Sequence, residues 1–436
     1  MLNPIFLERM KEYLHDEYND FYESFFKPNV RALRVNNHYI QTSNFKEIFD
    51  YEIKEIPYIK NGFYLFEELK AGFHPLHHAG AFYMQDPSAM IPANAILLPD
   101  NAFVLDLCSA PGGKATEIAT KIPNGCLIAN EIDYKRSKIL ASNVERLGFR
   151  NVVVTNNKAE DFLKNFECCF DAIFIDAPCS GEGMFRKYPK GQELWSLEEV
   201  NICAARDKNI IDNAYKLLKK DGKLIYSTCT FSKEENEDII SYISNKYDVE
   251  ILPIDLSLSS VMKKGFIDNT YRFYPHISLG EGQFLAVIKK NDGMVKSPKL
   301  AKFTSNIKEF SDFKTKYLNK DIFNLIKRNN TLFYQSTEFD LSTLNVVNYG
   351  VMLGEILKGR FVPNHQIFKA FNKLFKNYID LDFKDINIYK YLRGEQISFP
   401  VNDGYGVVFI NGIALGGFKA NNNFLNNLYP KGLRNF

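Results

Sequence analysis

Ala102-Phe103-Val104-Leu105-Asp106-Leu107 runs directly into Cys108-Ser109-Ala110-Pro111-Gly112-Gly113-Lys114. The first six residues form a short apolar run of strand type, and 114–121 reads as a helix. Between them, two glycines let the backbone approach a ligand closely, and the helix start offers unpaired N–H groups. The spacing is neither G-x-G-x-x-G nor that of a phosphate loop. A plain strand-to-helix turn looks much the same, so the surroundings decide.

Working outward, the alternation repeats. Residues 127–130 are a second apolar run, followed by an amphipathic helix over 134–147. A third run is 152–155 and a fourth 172–175. A long helix over 197–219 precedes the turn Asp221-Gly222 and a fifth run, 223–227. A helix from 234 to 247 follows, then runs at 250–254 and 284–289. Strands alternating with helices predict an α/β, doubly wound, Rossmann-like sheet that is mostly parallel. Ligands bind such sheets beyond the carboxyl ends of the strands.

The chemistry-bearing motifs fall at those ends. Glu131 closes the second run, 19 residues after Gly112, where an acid accepts hydrogen bonds from ribose hydroxyls. A ribose acid without phosphate-binding logic points to a nucleoside cofactor lacking pyrophosphate, and S-adenosylmethionine is the candidate. Asp133 reads as a helix-start charge. The fourth run ends in Asp176-Ala177-Pro178-Cys179-Ser180-Gly181-Glu182-Gly183, the fifth in Ser227-Thr228-Cys229-Thr230. Two cysteines and a carboxylate at adjacent strand ends are not a core pattern.

These motifs resemble those of the NOL1/NOP2/Sun-type RNA cytosine-5 methyltransferases, and most closely the bacterial RsmF (YebU)-like ribosomal-RNA enzymes with an extra C-terminal region. Further matching stretches are Arg31–Asn36, Tyr83–Ala89, Tyr274-Pro275-His276 with Gly280-Glu281-Gly282, Arg360–Pro363 and Tyr429–Gly432. The resemblance implies that Cys229 is the nucleophile adding to carbon 6 of cytosine, and that Cys179 resolves the adduct. It implies that Asp176 contacts the base and Lys114 lies near the site, where its charge would favour thiolate. It places S-adenosylmethionine on Ser109, Ala110, Pro111, Gly112, Gly113, Lys114, Glu131 and Asp176; Ala115 is a further candidate contact, and Arg136, at the start of the helix after Glu131, reads either as a cover for the adenosine or as an exposed helix charge. One departure stands out. The family often has an acid after the third strand, and here Lys158 occupies that position in Thr155–Asp161, so Asn157, Glu160 or Asp161 would have to serve.

Other candidates are weaker. His74, His77 and His78 have no further ligand type nearby, and no metal is expected. Arg186, Lys187, Lys190 and Trp195 make a basic loop that is a candidate RNA contact. Glu234, Glu235 and Glu237 read as charges favouring a helix start. The seven cysteines show no paired C-x-x-C units, as expected of a reduced cytoplasmic protein. Neither a leader nor a membrane span is evident in the sequence.

The 436 residues exceed one ordinary domain. The expected division is an N-terminal α+β RNA-contacting domain (1–80) that opens on a helical stretch over 2–26, a methyltransferase domain (81–292), and a basic α+β RNA-binding region (297–436) ending in a PUA-like module. At +2 the net charge excludes a histone-like or strongly acidic protein. Divided, it says more. Residues 1–296 hold 35 basic and 41 acidic side chains, and residues 297–436 hold 19 and 11. The expected partner is ribosomal RNA, bound by a monomer. Transfer RNA as substrate, or a non-catalytic ribosome-assembly role, are the competing readings.

Overall fold

The structure, a computed structural model, describes residues 2–254, 260–305 and 307–434. Its central sheet comprises β1 (Phe103–Asp106), β2 (Cys126–Asn130), β3 (Val152–Thr155), β4 (Phe170–Asp176), β5 (Leu218–Thr228), β6 (Val249–Leu252), β7 (Lys263–Lys264), β8 (Thr270–Phe273), β9 (Gln283–Lys290) and β10 (Val346–Asn348). The helices that position the site are α1 (Gly113–Lys121), α2 (Tyr134–Arg146), α3 (Leu197–Leu217) and α4 (Glu237–Lys246). Strands β3, β2, β1, β4 and β5 lie side by side in that order, all parallel. β9 joins β5 antiparallel, and β8 and β6 pair with its other edge.

The apolar runs are strands because both faces of the sheet are covered. Val104, Leu127 and Val154 point into one core with Ile118 and Leu140. Their neighbours Phe103, Leu105, Ile128 and Val153 point into the other, with Ile211 and Ile240. The winding reverses between β1 and β4, which makes the crevice above those two strands the ligand position of the fold.

Three boundaries differ from the sequence reading. The expected turn at Asp221-Gly222 lies within β5, where Asp221 takes φ 61° and the pairing with β4 shifts register. α4 starts at Glu237 rather than Glu234, which frees the preceding residues for other contacts. The N-terminal helical stretch is two helices, Pro4–Leu14 and Tyr18–Ser24, joined by a tight turn. Their apolar faces meet Phe185, Trp195, Phe231 and Tyr274.

A four-stranded antiparallel sheet (Arg31–Val35, Ile53–Glu55, Gly62–Leu65, Phe82–Met84) precedes the central one. Arg34 joins the two. Its buried guanidinium pairs with Glu117 of α1 at 2.5 Å and donates to Thr116 Oγ1 at 2.8 Å, Gly113 O at 3.1 Å and Gln85 Oε1 at 3.1 Å. Arg34→Ala would leave Glu117 buried without its ion pair. The expected loss is about 3–5 kcal/mol, read as a lowered unfolding midpoint in thermal melts.

Two more sheets follow the central domain. One is four-stranded, from Leu325–Arg328 to Arg360–Pro363. The last is five-stranded, and its hairpin turns at Asn411-Gly412, both at positive φ as that turn requires. Its Leu381, Val408 and Leu415 share a core with Leu33, Phe45 and Phe82 of the N-terminal sheet. β10 pairs antiparallel with β3, Val346 opposite Thr155, so the C-terminal region supplies the edge of the central sheet. No helix among the described residues is long and apolar enough to cross a membrane.

Candidate active site

The loop after β1 is anchored on both sides. Ser109 N donates to Asn130 O at 2.8 Å, and Arg136 and Asn143 of α2 donate to the carbonyls of Ala110 (2.8 Å) and Pro111 (3.0 Å). Gly112 takes φ 111°, a conformation open to glycine, and turns the chain into α1. A Cβ on Gly113 would come within 3.0 Å of the Gln85 side chain, so the loop packs directly on the N-terminal sheet.

Two cavities open at this end of the sheet. The first, about 700 Å³, is lined by Asn130, Glu131, Ile132, Arg136, Asp176 and Pro178 among others. The second, about 730 Å³, is lined by Arg31, Tyr83, Gln85, Lys114, Lys187 and Tyr188 among others. Cys108, Ala110, Arg136, Asp176 and Cys229 border both. Thus one carboxylate, Asp176, and two cysteines, Cys108 and Cys229, stand where a donor in the first cavity would meet an acceptor in the second.

The expected cofactor residues divide between the cavities. Ala110, Glu131, Arg136 and Asp176 line the first, whereas Ser109, Pro111, Gly113 and Lys114 line the second. Gly112 lines neither and serves the turn. Ala115 lines neither cavity, and its side chain is fully buried in the core between α1 and the sheet. Asp133 caps α2 by accepting from Arg136 N at 2.8 Å.

The first cavity suits a nucleoside bearing a positive centre. Glu131 is buried, and its Oε1 accepts only the Asp133 N–H among the hydrogen bonds of the described residues. The exposed Ile132 and the half-buried Ala159 offer an apolar wall, and Asp176 adds a carboxylate to the lining. Arg136, the cation nearest Glu131, divides itself between Glu131 (3.3 Å) and the Ala110 carbonyl. Beneath the loop, burial pushes the Asp106 carboxyl up to about 7, and its Oδ2 has no hydrogen-bond partner among the described residues.

At the shared wall, Asp176 leaves β4 beside Ser227 of β5. It accepts from Ser227 Oγ at 2.8 Å and pairs with Lys114 Nζ at 2.7 Å. The Lys114 ammonium is therefore committed to this carboxylate. The Cys179 and Cys229 sulfurs are 3.3 Å apart. Contact with the Cys229 sulfur, then enclosure, pushes the Cys179 thiol well up.

At the position after β3, Asn157 is already engaged: its side chain bonds both backbone groups of Asn345, beside β10. Asp161 caps its own turn by accepting from Lys158 N at 3.2 Å. Lys158 and Glu160 remain at the cavity rim.

The basic loop also reads differently in three dimensions. Trp195 is buried and donates to Glu182 at 2.9 Å, and Arg186 pairs with Glu281 at 3.0 Å, so both are structural. Only Lys187 and the exposed Tyr188 reach the second cavity. Of the acids read as helix-start charges, Glu234 pairs with Arg9, Glu237 pairs with the buried Arg272, and Glu235 holds the Cys179 loop. His74 bonds Asp50 at 3.0 Å, and His78 bonds Tyr429 at 2.8 Å.

A doubly wound sheet closed by an antiparallel strand, with a nucleoside-shaped cavity at its switch point, defines a methyltransferase of the S-adenosylmethionine class. A methyltransferase homolog protein from Pyrococcus horikoshii shares the fold with a TM-score of 0.57 and 26% identity, over 66% of this chain and 95% of that one. NSun6 from Pyrococcus horikoshii, solved with SFG, superposes with a TM-score of 0.58 at 22% identity, over 66% and 98%. Residues 94–289 match the family described as 16S rRNA methyltransferase RsmB/F. Residues 2–87 match the N-terminal domain of 16S rRNA methyltransferase RsmF, 309–370 its first C-terminal domain, and 378–435 its PUA domain. Ribosomal RNA small subunit methyltransferase F of Vibrio vulnificus is 32% identical over 99% of this chain and 97% of its own length. The protein of the same description from Shewanella piezotolerans is 30% identical over the same shares. The chain belongs to this RsmF family of ribosomal RNA small subunit methyltransferases.

Proposed function

We propose that the protein transfers a methyl group to carbon 5 of a cytosine in small-subunit ribosomal RNA through a covalent adduct on Cys229. The observation that carries this reading is the pair of sulfurs 3.3 Å apart, with Cys229 on the wall between the two cavities. S-adenosylmethionine is the cofactor, and it supplies an electrophilic methyl group.

Carbon 5 of cytosine is too weak a nucleophile to take that methyl unaided. The Cys229 thiolate adds to carbon 6, and the electron pair moves to carbon 5, which bonds to the methyl carbon as the sulfonium–carbon bond breaks. Loss of the carbon-5 proton to water then re-forms the carbon 5–carbon 6 double bond and breaks the carbon 6–sulfur bond, releasing the Cys229 thiolate. Cys179, its sulfur 3.3 Å from that of Cys229, serves this second half. Asp176, fixed by Lys114 and Ser227, faces the base.

The target must leave its stack to reach the second cavity. Tyr188 offers an exposed ring there, and Arg31 and Lys187 offer positive charge. The basic C-terminal region adds electrostatic affinity for RNA.

Bisulfite sequencing of ribosomal and transfer RNA from a strain lacking the gene tests the reading. One small-subunit cytosine should lose protection from deamination and regain it on complementation. Unchanged protection at every site would refute the assignment, and loss confined to transfer RNA would move the substrate there. A second expectation concerns Glu131→Ala. Losing charge-assisted hydrogen bonds of about 1.5–3 kcal/mol should weaken S-adenosylmethionine at least about tenfold in titration calorimetry. Unaltered affinity would place the ribose elsewhere.

A further inference from the structure

The two sulfurs sit on loops, not on strands, and something must hold those loops in place. The β4–β5 pairing ends at Asp176 opposite Ser227, with one more backbone bond from Ala177 N to Ser227 O at 2.8 Å. Beyond it, Gly183 N donates to Cys229 O at 2.9 Å. Between these bonds the loops are joined through side chains. Ser180, next to Cys179, lies 2.9 Å from the hydroxyl of Thr230, next to Cys229.

Glu235 and Asn236 close the arrangement from below. The Glu235 carboxylate accepts from Ser180 N at 2.7 Å and from Ser180 Oγ at 2.6 Å. Asn236 takes the other loop: its Oδ1 accepts from Thr228 Oγ1 at 2.6 Å, and its Nδ2 donates to Thr230 O at 3.0 Å. Two consecutive residues therefore grip the two cysteine loops separately. Glu235 is itself held through its carbonyl, which accepts from Tyr226 OH at 2.6 Å.

One carboxylate supplies two acceptors to the same residue, Oε1 for the Ser180 N–H and Oε2 for its hydroxyl. We infer that Glu235 is a positioning residue for the second cysteine: bound to Ser180, it sets where the Cys179 sulfur lies against the Cys229 sulfur, and so sets the rate at which the RNA adduct is resolved. The inference rests on the two-cysteine reading above.

The electrostatics agree. Glu235 is one of the charges that push the Cys179 thiol up, after the Cys229 sulfur and enclosure. Burial, with Glu182 adding to it, brings Glu235 itself up to about 7. The other groups near Glu235 are Asp207 and Arg206 on α3, Cys203 on the same helix, and Tyr226 on β5. Arg206 donates to the Pro178 carbonyl, on the Cys179 loop.

The test uses full-length protein, S-adenosylmethionine with a labelled methyl group, and small-subunit RNA from a strain lacking the gene. Denaturing gels follow methylated RNA bound to protein and methylated RNA set free. Glu235→Ala should form the adduct at close to the wild-type rate but release it on the order of 10²-fold more slowly, as expected for a misplaced reacting group. Glu235→Gln, which keeps an acceptor for the Ser180 N–H, should restore most of the release. Release at the wild-type rate in Glu235→Ala, while Cys179→Ala traps its adduct, would overturn the inference alone. Parallel loss of formation and release would overturn it too, because that marks a general structural role. If Cys179→Ala traps nothing, the two-cysteine reading falls and the inference with it. Should Glu235→Ala fail to fold, Ser180→Ala removes the hydroxyl contacts to Glu235 and Thr230, and unchanged release there is equally fatal.

Discussion

Cys229→Ala is expected to abolish methyl transfer while S-adenosylmethionine still binds. No other thiol can substitute: Cys179 is on the wrong side of the shared wall to line the second cavity, and Cys108 is pushed well up by burial and by Asp106. Removing a nucleophile that acts as part of a unit lowers turnover on the order of 10⁶-fold. Labelled-methyl incorporation should therefore fall to background. Glu131, Ile132 and Asp176, which line the proposed cofactor cavity, remain, so calorimetry should report nearly unchanged affinity. Residual activity near that of the wild type would remove Cys229 from the reaction.

Cys179→Ala is expected to do the opposite: chemistry starts and does not finish. The Cys229 thiolate still adds to the base and the methyl is still transferred, but the adduct is not resolved. Each protein molecule should take up one methyl and stop, with turnover lowered by about 10²–10⁴-fold, the usual range for loss of a positioned acid or base. The product should migrate on denaturing gels as an RNA–protein conjugate and collapse after nuclease treatment. Free methylated RNA appearing at the wild-type rate would show that another group clears the adduct. The two substitutions thus separate: one yields no conjugate and no product, the other conjugate without turnover.

The sheet was readable in the sequence because its strands are buried on both faces. Val152–Thr155 shows this plainly, since a continuous β-branched run between two helices has few other homes. The glycine loop, Glu131, Asp176 and the two cysteines were readable because each sits at a strand end, where local spacing carries the signal. Contacts between distant residues were not. Arg34 and Glu117 pair across 83 positions, and nothing local in either segment announces the partner. Glu235 looked like a helix-start charge because acids before helices usually are, and only the later start of α4 and the position of Ser180 reveal its work. Trp195 and Arg186 looked like RNA contacts because they stand in a basic stretch, yet Glu182 and Glu281 draw them inward. That the Asn157 side chain is already taken has its explanation far downstream, in Asn345.

That last contact has a consequence for synthesis. β3 is made long before β10, the strand that covers its edge. A growing chain therefore presents the central sheet with one side open until residue 348 has left the ribosome. Unpaired strand edges are templates for wrong pairing, so this interval is when the nascent protein is most exposed to misassembly. A stop codon between 292 and 345 would release a sheet whose β3 margin is left raw.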